Sequence, residues 1–486
     1  DAAIEIKDDS EVALEEKAET LEAMGRTEEA LDVYRRLITV NPQHYLAWSK
    51  VGVMVPTEEE TRNLDLAWMD NALEADPDNF AVWTSKGALA ESQGREDEAL
   101  EHYERALSIN PGYREARVRR GSILLRRGET QEALEDIGLA LDERADPETR
   151  VMHAVGLVEM EEFQAALGSL NAALAESPDL VSGLIKRGEV LFHEGDLEGA
   201  QEDLDHAVRV DGDAGEAYKV RGLLKIAKGD LEGALADLDR AAQLDPGDPE
   251  VLTVRGNILA ELDRLGESLE SHDTAIGLQP DWDVLHINKG NTLILAGRFR
   301  EAVEAYDRAL EANPDSEPAR INKEIALEEA GEHQELADFL RSELERVGRT
   351  PDLSLRLGQA LEANGELRGA MAEYEAGIAL PEPTAELWEA KARLLHLQGD
   401  LPGAIEAYDR ALSLNGDLGH ALNNRGSALY MLGRYEEAAS DIIQATRLDP
   451  DMAAAWQNLG PTYYHLERYE EALEALDRAL ELDPSN

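Results

Sequence analysis

The last thirty-four residues, Ala453 to Asn486, constrain the fold more than any other stretch. Apolar and small residues recur there at helical spacing in two runs, Trp456-Leu459-Gly460-Tyr463 and Ala472-Leu476-Ala479. Glu467-Arg468 separates the runs and Asp483-Pro484 follows the second. The spacing predicts a helix, a tight turn, a second helix and a stop. Gly460 and Ala472 are small where two such helices must approach closely. The same pattern can be laid back along the chain at a period of thirty-four residues. A unit of that length cannot bury its apolar face alone, so neighbouring units must stack.

Fourteen repeats begin at residues 11, 45, 80, 114, 147, 181, 215, 249, 283, 317, 351, 385, 419 and 453. The eighth position is Gly in ten of them, and the twentieth and twenty-seventh are each Ala in eleven. Pro closes nine, including Pro42, Pro111, Pro246, Pro314 and Pro450. On these residues the chain resembles the tetratricopeptide repeat family, whose pattern is W-x2-L-G-x2-Y, then A-x3-F, then P. The resemblance covers 476 of 486 residues. It implies an all-α fold, an α-α superhelix, that is, a right-handed solenoid of helix-turn-helix repeats. First helices would line a concave groove and second helices the convex outside, each repeat burying its apolar stripe against its neighbours.

The expected organisation is an extended or frayed arm at residues 1–10 and a single solenoid over residues 11–486. A hinge is expected at 317–350, where Glu324 stands in the small position and Leu336 replaces Ala. A carboxylate and a bulky Leu cannot pack as Gly on Ala does. The second repeat carries Pro56 where its first helix should end and is one residue longer than the rest.

Charge narrows the partners. Asp plus Glu is 102 and Lys plus Arg is 47, a formal net charge of -55. Nucleic acid and anionic membrane would be repelled. Cationic partners, or weak divalent-cation binding to the acidic surface, are compatible with this charge. The acid-rich balance of Arg over Lys is similar to that of salt-adapted prokaryotic proteins. There is no Cys, which excludes disulfides and thiolate chemistry. No apolar run is long enough to span a bilayer. The absence of an initiator Met is compatible with a mature product or a fragment, and no N-x-[ST] sequon occurs.

The chain is expected to be non-enzymatic and to need no cofactor or metal. GxxxxGK[ST], GxSxG, HExxH and EF-hand loops are all lacking. DGDAGE at 211–216 reads as an inter-repeat turn. Ser271-His272-Asp273 is contiguous on a predicted helix, where adjacent residues point apart, so it is no triad. His272 replaces the Tyr306 and Tyr408 of other repeats and reads as a core residue.

Two columns carry more information. The seventh position is basic in ten repeats, among them Lys86, Arg120, Arg187, Arg221, Arg255, Lys289, Lys323, Lys391 and Arg425. In six of those repeats the twenty-fifth position is acidic: Glu104, Asp205, Asp239, Asp273, Asp307 and Asp409. Matched carboxylates favour structural ion pairs between helices over recognition of an acidic peptide. Asn stands at the groove-facing sixth position as Asn288, Asn322, Asn424 and Asn458, joined by Asn257, Asn291 and Asn423. An amide both donates and accepts, so a row of Asn can clamp a peptide backbone without reading its side chains. The row looks like the asparagine ladder in the repeat domain of the O-linked sugar transferases, with Arg356 and Ala390 interrupting it. Lys186 and Lys219 match part of the family's chaperone-tail clamp.

The leading expectation is a protein-interaction scaffold holding an extended peptide or a partner helix in the groove, in a cytoplasmic setting. A second is a filament or homopolymer subunit, extracellular or at the cell surface. It would stack end to end through its last repeat and through Ile4 and Ile6 of the arm. A third is a regulatory domain of a larger enzyme.

Overall fold

Every described first helix begins at the residue where its sequence repeat begins. The computed structural model describes residues 10–41, 44, 46–47, 50–51, 69–74, 76–141 and 146–483. Among the described residues the fold is all-α, with no strand. Ile4, Ile6, Gly52 and Pro56 lie outside them, as does the expected arm up to residue 9.

The chain divides into two compact units, Asp1–Ile258 and Leu259–Asn486. In the first, the helix pairs are Glu11–Ala23 with Thr27–Val40, Phe80–Ser92 with Glu96–Ile109, and Arg114–Arg126 with Thr130–Ala140. Pro147–Glu159 with Phe163–Glu176, Val181–His193 with Leu197–Val210, and Gly215–Ala227 with Leu231–Leu244 follow. Pro249–Glu261 runs through the division point. The second unit begins its helices at Leu265–Leu278. It continues with Asp283–Leu295 and Phe299–Ala312, Glu317–Glu329 and His333–Val347, and Pro351–Ala363 and Leu367–Ile378. Ala385–Leu397 with Leu401–Leu414, Gly419–Met431 with Tyr435–Leu448, and Ala453–His465 with Tyr469–Leu482 complete it.

Short turns join the helices of a pair, and their geometry is set by one left-handed residue. Gly433 has φ 75°. Its N–H donates to the Tyr430 carbonyl, and that of Arg434 to the Leu429 carbonyl, both at 2.9 Å. These bonds satisfy carbonyls that a helix end leaves open. Glu161 and Glu467 hold the same position at φ 60° and 58° without the freedom of Gly.

The eighth residue is Gly because the twenty-fourth side chain lies across it. A Cβ on Gly290 would stand 2.5 Å from Cε1 of Tyr306, and one on Gly460 2.6 Å from Leu476. Ala302, Ala309, Ala404 and Ala411, at the twentieth and twenty-seventh positions, are fully buried, and Tyr306 and Tyr408 fill the space beside them. In the tenth repeat, Glu324 is half-buried and turns to Arg356 at 3.2 Å. Burial raises the pKa of that carboxyl. Leu336 is buried in place of the usual Ala.

Candidate peptide-binding face

The basic column is paired, but not within the repeats the sequence matched. Asp205 accepts from Arg221 at 2.8 Å and Asp239 from Arg255 at 2.6 Å. Asp273 pairs with Lys289 at 2.6 Å, Asp307 with Lys323 at 2.5 Å, and Asp409 with Arg425 at 2.6 Å. Each acid thus serves the basic residue of the following repeat, sixteen residues on. The offset arises because a first helix packs against the second helix of the repeat before it.

A further carboxylate row, at the twenty-third position, was missed by the sequence reading. Asp203 binds Arg187 at 2.6 and 2.7 Å, and Asp136 binds Arg120 at 2.5 and 2.9 Å. Asp237 binds Arg221, and Asp441 binds Arg425. The Asp is buried in all four pairs. The signal was legible: a carboxylate recurs one helical turn after the small twentieth residue, where an apolar side chain would otherwise pack.

The second, sixth and ninth residues of a first helix share one face, being four and three apart. On Asp283–Leu295 these are Val284, Asn288 and Asn291, and on Glu317–Glu329 they include Asn322 and Ile325. Asn322 Nδ2 donates to Asn291 Oδ1 at 2.9 Å, and the Tyr306 hydroxyl donates to the same oxygen at 2.8 Å. Burial raises the Tyr306 phenol to about 12. Elsewhere this Tyr is satisfied by a Glu at the twelfth position, as Tyr103 by Glu91 and Tyr374 by Glu362, both at 2.8 Å. Ile294 stands at the twelfth position here, so Asn291 takes over that role. Among the described residues the half-buried Asn288 amide has no side-chain partner.

A second amide group forms further on: Asn458 Nδ2 donates to Asn423 Oδ1 at 3.0 Å, and Asn423 Nδ2 to Asn424 Oδ1 at 3.4 Å. Between the two groups Arg356 is tied to Glu324 and Asp352, and Ala390 is buried. In the first unit, Asn257 is exposed and Lys186 is paired with Glu189. Lys219 bonds Glu250 at 2.8 Å and Asp248 at 3.2 Å. Burial works against its charge, yet these carboxylates and Glu216 raise its pKa.

Three aliphatics on the amide face were not singled out from sequence. Val284, Ile321 and Ile325 are 40%, 50% and 46% exposed. Val284 stands where Glu216 and Glu250 occur at the second position of other repeats, and Ile325 where Glu189 occurs at the ninth, and that contrast was the available signal; Ile321, at the fifth position, lies one turn before Ile325.

His272 is fully buried, and among the described residues neither ring nitrogen has a hydrogen-bond partner. Burial pushes its imidazole down to about 4. Asp273 faces Lys289 instead, so the contiguous Ser271-His272-Asp273 is no triad. Among the described residues no group of three or more His, Asp or Glu side chains is arranged to hold a metal ion. No described helix is long and apolar enough to cross a membrane.

One tetratricopeptide repeat model matches residues 151–217, 186–249, 219–281, 355–418 and 420–486. Two others match 80–113 with 284–316, and 13–44. The chain belongs to the tetratricopeptide repeat family. No curated protein sequence matches it. Solved structures similar to this tetratricopeptide repeat chain include that of the APC/C hetero-tetramer Cut9-Hcn1, at 18% identity and TM-score 0.36, covering 87% of this chain and 96% of that one. A tetratricopeptide repeat protein from Parabacteroides merdae aligns at 21% identity and TM-score 0.33, covering 51% and 98%. YrrB, titled a TPR protein with an unusual peptide-binding site, aligns at 22% and TM-score 0.25, covering 45% and 95%. Tetratricopeptide repeats support a protein-interaction scaffold in general, and their fold is typically non-enzymatic.

Proposed function

We propose that the tetratricopeptide repeat chain holds an extended peptide across the first helices of its ninth and tenth repeats. The observation that carries this reading is the exposure of Val284, Ile321 and Ile325 beside Asn288, Asn291 and Asn322. Exposed aliphatics accept apolar side chains, and the amides pair with a peptide backbone. Neither partner needs charge, which suits a binding face on a chain of net charge -55. Asn423, Asn424 and Asn458 offer a second amide group, already bonded among themselves. In the first unit Lys186 and Lys219 are both engaged by carboxylates, and Asn257 is exposed. Divalent cations would associate with the acidic surface only diffusely.

Panning a phage-displayed library of linear peptides tests the reading. Enrichment of peptides with alternating apolar residues is expected on the natural sequence and not on an Ile321→Asp, Ile325→Asp variant. Equal enrichment on both would remove the site from this face.

A further inference from the structure

The second, sixth, ninth and thirteenth residues of a first helix run down one stripe, at spacings of four, three and four. On Asp283–Leu295 the stripe is Val284, Asn288, Asn291 and Leu295, apolar at both ends with amides between, and Leu295 is 65% exposed. On Glu317–Glu329 it is Pro318, Asn322, Ile325 and Glu329. The ninth repeat thus ends its stripe on an open aliphatic, and the tenth on a carboxylate. Glu328 stands next to Glu329, and both are exposed with no ion pair among the described residues.

The cations on and beside this helix are already held. Lys323 bonds Asp307 at 2.5 Å, and Arg356 lies 3.2 Å from both Glu324 and Asp352. Arg300 is bound by Glu332, in the turn that follows Glu329. Burial raises the pKa of the Glu324 carboxyl, Arg356 lowers it, and Asp352, Glu328 and Glu343 raise it again. A peptide carboxylate placed here would add to the negative side. A Lys or Arg would meet Glu328 and Glu329 at the edge of an apolar surface. Such side chains suit that edge, because the aliphatic stem covers apolar surface while the charged head stays in water.

We infer that the peptide held on this face carries Lys or Arg beside its apolar residues, with the charge set against Glu328 and Glu329. The inference rests on the proposed peptide face and adds the charge of its ligand. The net charge of -55 attracts any cationic peptide from a distance, whereas the pairing with Glu328 and Glu329 is local. Changing the same amount of charge at two different places separates the two effects.

Panning the linear-peptide library on residues 1–486 tests it with the natural sequence, a Glu328→Lys, Glu329→Lys variant, and a Glu436→Lys, Glu470→Lys variant of the same net charge. Glu436 and Glu470 are exposed on the second helices of the thirteenth and fourteenth repeats. On the natural sequence Lys and Arg should be enriched at least about threefold beside the apolar residues. The first variant should return them to library frequency and enrich Asp and Glu instead, with the apolar residues retained. Glu328→Gln, Glu329→Gln, which removes the charge without reversing it, should lose the basic preference as well. The Glu436→Lys, Glu470→Lys variant should behave as the natural sequence does, and circular dichroism should be the same for all. Apolar peptides enriched without Lys or Arg would overturn the inference and leave the peptide face standing. Equal loss of the basic preference in both Lys variants would assign it to the field of the whole chain and overturn the local pairing. No enrichment of apolar peptides on any form would overturn the peptide face and the inference together.

Discussion

Arg221 binds Asp237 of its own repeat through Nη2 at 2.7 Å and Nε at 2.8 Å, while its Nη1 reaches Asp205 of the repeat before at 2.8 Å. The hydrogen bond to Asp237 raises the guanidinium pKa, against the opposing effect of burial. One side chain thereby ties three helices, and Lys225 adds a further contact to Asp237 at 2.7 Å. Because Asp237 is buried, its removal leaves two cations facing each other without their shared counter-ion. Asp237→Ala should cost about 3 kcal/mol in a urea unfolding experiment. Asp239→Ala, whose exposed carboxylate pairs with Arg255, should cost less than about 1 kcal/mol.

The eighth and twenty-fourth positions should prove coupled. Gly290→Ala puts a methyl group into the ring of Tyr306 and should destabilise the chain by about 1–3 kcal/mol. Tyr306→Leu in the same molecule should recover part of that loss, as Leu204 lies on Gly188 with a Cβ approach of 2.9 Å. Additive losses in thermal unfolding would mean that the two side chains do not share one space.

His272 sets a dependence on pH. Its ordinary value of 6.5 is pushed down to about 4 in the folded chain, so between these values the unfolded chain binds a proton that the folded one refuses. Stability should therefore fall as pH drops through this window, by about 3 kcal/mol from this residue. His272→Tyr, the residue of the ninth and twelfth repeats, should remove that part of the slope. Unfolding measured at several pH values, for both chains, separates it from the carboxylates.

The amides of the proposed face should divide by role. Asn291→Ala strips the Tyr306 hydroxyl of its acceptor and should cost about 1 kcal/mol of stability. Asn288→Ala, with no side-chain partner to lose among the described residues, should leave stability unchanged within about 0.5 kcal/mol.

The repeat was readable because its signals are local and periodic: Gly290, Ala302 and Ala309 recur at one spacing, and helix starts at Phe80, Pro147 and Pro351 coincide with repeat starts. What was not readable depends on neighbours across helices. The partner of Arg221 at the twenty-third position lies sixteen residues away on a packed helix, and a single sequence shows that acid only as one of many. Asn291 read as part of a binding ladder, yet its oxygen also serves Tyr306, a duty created by Ile294 in a place where Glu91 and Glu362 stand elsewhere. The exposed Ile321 and Ile325 looked like ordinary helix residues until burial separated them from the core.

Isothermal titration of a selected peptide against the natural sequence and an Asn288→Ala, Asn322→Ala variant tests the proposed face most directly. The account predicts affinity weaker by at least about tenfold in the variant, with helicity and unfolding midpoint retained. Equal affinity in the two proteins would contradict it, and the peptide would have to bind elsewhere on the repeat array.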